Sequence, residues 1–519
     1  MDCDFINNSA RNLGGGIIWS APNGYLTECN FINNTANNNG GGAYLDSSNS
    51  HNLVMTNCIF TNNAVNNNGG GVYWAGANGC LTGSTFIENN ANSNGGGVYW
   101  ASSDSKVIDC TFTKNTASNG GGIYCAGASS DSKVIDCTFT KNTASNGGGV
   151  YWDGSNGTLS NSNFTKNNAK QEGGAVYWNG PNGALFNSNF YNNSANSAGA
   201  GVYWTGTKGT ITNSTFTSNN ASFGGALFWS ANNGTLTSTT FINNTASANS
   251  GSINWDGANG HIINSTFINN IATGVGGGIA FGTGSANSTI INSTFRNNKA
   301  NRGGAIYYAG GATNSIIINS TFTDNDAKDY GGAICWVSHN GIVTNSNFTS
   351  NTAVNYGAAI SWFGANGKAT DCNFKGNNAK VNGGAVYWAA ENGTLTDSNF
   401  TSNSAGANGG AVSWTGVNSQ MINCNFKDNY ATKGDNVYWQ WTVEDFLNKY
   451  DQINDYDYVY ILNGTGTPSR TIVLNKKGII ISSQGSVTFD AKCGNLHFEI
   501  TGDNILIEKI TFRNFNFTK

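Results

Sequence analysis

The sequence predicts an all-β fold, a single-stranded parallel β-helix (solenoid) of about 17 coils, and three observations predict it. A Phe column recurs from Phe5 through Phe31, Phe60 and Phe86 to Phe426, 17 residues separated by 25 to 29 positions and most often by 26. The stretch around Gly-Gly-Ala-Val-Tyr-Trp alternates with period 2: Val176 and Trp178 belong to almost invariably apolar columns, and the Tyr177 column between them also accepts Asn254, Ser361 and Ser413. Helix formers are scarce, and no 3.6-residue stripe appears among the 70 glycines and many asparagines. Repeats of this length that cannot bury their own aromatic face must stack. Seventeen copies also exceed any ordinary ring of propeller blades.

Within a coil the first strand is the Tyr strand, with Val or Ile and Trp inward and Tyr outward. The second reads like Gly209 to Phe216, "GTITNSTF". Its Ile211 and Phe216 are five apart, so strict alternation cannot bury both, and a bend is expected at the Asn between them, as at Asn161, Asn213 and Asn345. An Asn three positions after each Phe, such as Asn167, predicts a stacked ladder of side-chain amides serving turn groups that lack strand partners. A small Ala and then Gly-Gly turn the chain back, and a short third strand fits between. Residues 101–122 and 128–149 are identical, a duplication of most of one unit.

Seven of the 11 cysteines (Cys3, Cys29, Cys58, Cys110, Cys137, Cys372 and Cys424) stand two residues before the Phe, in a column that elsewhere holds Ser. Buried thiols and inter-rung disulfides both fit this placement, and no CxxC or Cys/His cluster indicates a metal. The repeat domain is expected over 1–440. Over 441–519 a helix between Trp441 and Tyr450 precedes strand-like runs, read either as a cap or as the start of a second β-helix ending at Lys519.

A net charge of −4 with 10% charged residues excludes a nucleic-acid surface. No apolar run reaches the ~18–20 residues of a membrane span. The start, "MDCDFINNSARNLGGG", is already repeat sequence and lacks a signal peptide. An intracellular protein or a fragment of a longer surface chain would both account for that, and the second is the expectation.

The pairs Phe295-x-x-Asn298 with Gly303-Gly304-Ala305-Ile306, and Phe322-x-x-Asn325 with Gly331-Gly332-Ala333-Ile334, resemble the repeat of the chlamydial polymorphic membrane proteins. They are closer still to adhesin-like surface proteins of methanogenic archaea. The resemblance covers roughly residues 1 to 440. It implies a pectin-lyase-like, right-handed β-helix, secreted or surface-attached.

Many such helices cleave acidic polysaccharides, using paired carboxylates or a carboxylate-bound calcium with an arginine base. Here Asp46, Asp153 and Asp256 sit on well-separated rungs, and His51, His261, His339 and His497 form no cluster. The best local group is Arg296 and Arg302 with Asp324, Asp326 and Asp329 one rung on, which also reads as a solvated charge patch. No P-loop, dinucleotide fingerprint or Ser-His-Asp constellation occurs. The expectation is therefore a chain that is not an enzyme, with no catalytic residues, cofactor or metal. The outward tyrosines Tyr99, Tyr124, Tyr151, Tyr177 and Tyr203 form a candidate ligand-contact ladder, since Tyr suits sugar rings or another protein. Cross-rung stacking is the other reading. Thr212, Thr237 and Thr344 share an outward column suited to an ice-facing surface, though it is often interrupted. Triplets such as Asn213-Ser214-Thr215 and Asn392-Gly393-Thr394 fit surface glycosylation. The reading is a rigid, extracellular adhesin-like or stalk protein whose partners are glycans or proteins of other cells. The alternative is a polysaccharide lyase or glycoside hydrolase whose site lies beyond Lys519.

Overall fold

The computed structural model describes residues 2–46, 51–101, 103–127, 131–483, 485–492 and 496–515. It contains two compact units, Met1–Gly274 with Gly278–Ala280, and Val275–Gly277 with Phe281–Lys519. Both are built from stacked coils whose strands pair in parallel with the equivalent strands one coil away, and the repeat amounts to about 19 turns. The excess over the 17 Phe rungs arises beyond the last Phe of the column.

One coil of the first unit shows the plan. A Tyr strand (Val176–Trp178) is followed by a Leu strand (Ala184–Phe186), a Phe strand (Asn189–Tyr191) and a two-residue corner strand (Ser194–Ala195). Each corner between these strands holds one left-handed residue: Asn182 at φ 57°, Asn187 at 51° and Asn192 at 54°. Asn and Gly accept this region at least cost. Lys166 and Ser218 adopt it too, at φ 56° each, so geometry overrides residue preference here. The left-handed residue at position 187 resolves the parity conflict, because Leu185 and Phe190 are both buried although five apart.

Inside, register puts like on like. Trp178 stacks between Trp152 and Trp204 at 4.7 and 4.6 Å, and Phe190 between Phe164 and Phe216 at 4.9 and 4.5 Å. The Trp ring lies over the corner glycine that follows, and a Cβ on Gly183 would stand 2.2 Å from Trp178 Nε1. Beside the Phe column runs the amide ladder. Asn193 Oδ1 accepts from both the backbone N–H (2.9 Å) and Nδ2 (3.1 Å) of Asn167. Its own Nδ2 donates to the Phe164 carbonyl at 3.0 Å and to Asn219 Oδ1 at 3.0 Å.

In the second unit the same coil continues through Val412–Trp414 to Val437–Trp441, which pairs onward with Tyr458–Ile461, and that strand with Ile480–Ser483. Helix α1 (Val443–Lys449) lies between the first two of these tail strands. Thr442 caps it, its hydroxyl accepting from the Asp445 N–H while the Asp445 carboxylate accepts from the Thr442 N–H.

No disulfide joins any of the ten described cysteines; Cys493 lies outside the described residues. Cys58 Sγ donates to the Thr56 and Leu26 carbonyls, as a column serine bonds the carbonyl two residues back. Burial pushes the Cys58 thiol up to about 11 and the Cys372 thiol up to about 12. Thiolate is the reactive form, so alkylation at neutral pH should spare Cys58, Cys110 and Cys372 until the chain is unfolded, as peptide mass mapping would read. Asn193→Ala strands two donors and one carbonyl, each worth about 1–3 kcal/mol when buried. We expect a loss of at least about 3 kcal/mol, seen as faster hydrogen exchange at the Asn167 amide than in the parent protein.

Candidate functional site

The outward column of the Tyr strands is a regular surface over the middle rungs of the first unit. Tyr99, Tyr124, Tyr151, Tyr177 and Tyr203 are each half-buried, with ring centroids 5.3, 4.9, 4.5 and 5.1 Å apart in sequence order. The stack extends to Tyr73 and Tyr44 on one side and to Phe228 on the other. Face-to-face stacking engages the ring faces inside the ladder, so the surface offers ring edges and hydroxyls. The rings thus adopt the cross-rung stacking that is one of the two sequence readings, and rungs near strand spacing leave no room between rings for a sugar.

Polar groups from the strand's two ends line the hydroxyl row. Asp153, just after Trp152, accepts from the Tyr124 hydroxyl at 2.5 Å and from Asn179 Nδ2 at 2.9 Å. Asn179 Oδ1 in turn accepts from the Thr205 hydroxyl at 2.7 Å. From the corner before the strand, the Glu172 carboxylate stands close enough to the Tyr203 hydroxyl for each to shift the other. Burial raises the Glu172 carboxyl above the usual range, and the Tyr203 hydroxyl works the other way. Burial, and then Glu172, push the Tyr203 phenol up to about 12. Burial followed by the Asp153 hydrogen bond raises Tyr124 as well. The row is thus a line of neutral hydroxyl donors threaded with carboxylates. Sequence reading had placed Asp153 alone on its rung and passed over Glu172. Both lie beside the Tyr column by position, five residues before the Tyr and two after.

Elsewhere the Tyr column is interrupted, and positions expected to face water are covered. Asn254, Ser361 and Ser413 are buried, 8%, 0% and 1% exposed. In the second unit two corner residues stand in for missing rings: Tyr356 stacks on Tyr387 at 4.6 Å, and Tyr330 on Tyr356 at 5.2 Å, spanning the rungs of Cys335 and Ser361. Arg302 closes this stack 5.3 Å from the Tyr330 centroid and pairs through Nε with Asp329 Oδ2 at 3.2 Å. Of the acidic and basic group singled out around it, Asp326 instead accepts from Thr352, Asp324 occupies a left-handed corner, and Arg296 is exposed opposite Thr323. Among the described residues no three His, Cys, Asp or Glu side chains gather as metal ligands. Thr212 and Thr237 adjoin on the outer face of the Leu strands, where Ile263 follows them, and in the second unit Thr344 pairs with Ile318 and Thr370.

A family model described as "Right handed beta helix region" matches residues 15–190, 148–322 and 251–426. Similar solved structures include a PL6 alginate lyase in complex with a trisaccharide: 11% identity, 83% of this chain and 81% of that chain, TM-score 0.26. A mutant of the PL6-family alginate lyase AlyGC has 11% identity over 99% of this chain and 73% of that one, with a TM-score of 0.30. The tailspike of E. coli bacteriophage HK620, in complex with a hexasaccharide, has 12% identity over 96% of this chain and 72% of that one, TM-score 0.15. No curated protein matches. The expectation of a chain that is not an enzyme is corrected here: alginate lyases are among these neighbours. At such identity and TM-score these likenesses assign no reacting residue to this chain.

The phenol shifts set a sign for alkaline pH. A native Tyr held at about 12, against about 10 when unfolded, binds its proton more tightly when folded. Its contribution to stability is complete below about pH 10 and is lost as pH rises through about 12. Spectrophotometric titration should show ladder phenolate lagging behind free tyrosine; ionisation of all tyrosines near their ordinary value would overturn this.

Proposed function

The chain belongs to the right-handed β-helix family, and from that premise we propose that its Tyr face is an extracellular glycan-binding surface in an adhesin-like protein. The observation that carries the reading is the hydroxyl row of Tyr99, Tyr124, Tyr151, Tyr177 and Tyr203, with Asp153, Glu172, Asn179 and Thr205 fixed beside it. Hydroxyl donors at rung spacing, with the Asp153 and Glu172 carboxylates beside them, suit the hydroxyls of a sugar polymer lying along the ladder. Each contact is weak, and repetition supplies affinity. The ligand is read as a hydroxyl-rich, uncharged glycan, because the carboxylates disfavour an acidic one. No helix among the described residues is long and apolar enough to cross a membrane. Exposed Asn213 and Asn392 stand at corners where N-linked glycans would clear the coil.

A glycan array probed with the purified chain, beside a variant carrying Tyr151→Ser, Tyr177→Ser and Tyr203→Ser, tests this. Saturable binding by the parent, lost in a variant that keeps its circular dichroism spectrum, is the expected result. Absence of binding by both proteins sinks the reading. Shortening of a bound polysaccharide in the same incubation would establish the lyase or hydrolase alternative.

A further inference from the structure

In the second unit the Phe and amide ladders end at one rung, and a notch opens above it. Strand Asn425–Lys427 pairs with Asn399–Thr401, and no described strand pairs with its other edge. The Asn425 N–H donates back to the Ser398 carbonyl, and the Lys427 carbonyl accepts from the Ser402 N–H. Residue parity therefore points the Phe426 N–H and carbonyl forward, into the notch. The Phe426 ring has Phe400 on one face, 5.2 Å away, and remains partly exposed, unlike the rings before it in the Phe column of this unit.

At every earlier rung of the ladder whose bonds are described, the Asn backbone N–H donates to the next Asn Oδ1, as Asn403 does to Asn429 at 3.0 Å. Asn429 has no successor. Asn436 Oδ1 accepts from its side chain at 3.3 Å, and its N–H is left facing the opening. The notch above holds about 410 Å³, lined by Phe426 and Asn429 and walled by Asp428, Asp435, Tyr456 and Lys477.

We propose that this notch is an acceptor site for an extended peptide strand from another chain, one carrying the Phe-x-x-Asn spacing of the repeat itself. The molecule supplies the template, since each preceding rung shows what this edge accepts. An incoming backbone would take the Phe426 N–H and carbonyl as a parallel strand, its aromatic ring would cover Phe426, and its Asn Oδ1 would accept from the Asn429 N–H. The three-residue spacing sets the specificity, because both side-chain contacts must be met in one register. An uncharged peptide suits walls that carry both carboxylates and ammonium groups.

A fluorescent peptide of residues 213–221, which holds Phe216 and Asn219, would be titrated into the full chain and followed by anisotropy. We expect saturable binding, weakened about tenfold by Phe216→Ala in the peptide and similarly by Asn219→Ala. Hydrogen exchange of the unmodified protein should show new protection at the Phe426 and Asn429 amides on binding. Absence of binding at millimolar peptide overturns the proposal. So does binding indifferent to both peptide changes, or protection that arises away from these two amides.

Discussion

From Asn34 to Asn429 each coil depends on one buried amide. The corner asparagine after the Phe strand satisfies a carbonyl of the coil before it and two donors of its neighbours, as Asn193 does for Phe164 and Asn167. At this corner the chain leaves the strand direction, and unpaired backbone groups would otherwise be sealed from water at a cost of about 1–3 kcal/mol each. Because the amide binds forward and backward along the stack, it also fixes register. Register in turn places Trp on Trp and Phe on Phe, and gathers the outward Tyr residues into one column. The surface chemistry is thus a by-product of how the corner is solved.

Much of this was legible because the repeat reports its own geometry. The inward Val and Trp columns, the outward Tyr column, the bend at Asn213 and the amide ladder follow from periodicity and residue size, and the structure places each accordingly. Less legible were the corners. Lys166, Lys208 and Ser218 hold left-handed backbone that their side chains do not advertise, so only alignment with Asn at the same column exposes them. The tail strands escaped the count of coils because their Phe column stops while their Tyr-strand equivalents continue to pair.

The candidate site was half legible. Tyr positions were plain, but the choice between stacked rings and free ring faces was not, since stacking depends on side-chain rotation that spacing does not specify. Tolerance of Ser at 361 and 413 suggested exposure, whereas Tyr330 and Tyr356 enter from a corner to build the stack across the neighbouring rungs. Substitution in a column thus reflects what neighbours can supply as well as what water permits. Asp153 and Glu172 joined the Tyr row only once the two ends of the strand were seen on one face.

The duplicated segment shows what such a plan allows over generations. Its two copies lie on successive rungs and pair residue for residue, Lys106 with Lys133 and Phe112 with Phe139, while the coils on either side keep the same pairings. A whole-coil insertion is therefore structurally silent: it creates one more interface identical in kind and disturbs none. Recombination between near-identical repeats can lengthen or shorten this protein in steps of one rung without passing through a misfolded intermediate. Reach, and the number of tyrosines presented side by side, become traits that drift or selection can adjust by copy number alone, with no new side chain invented.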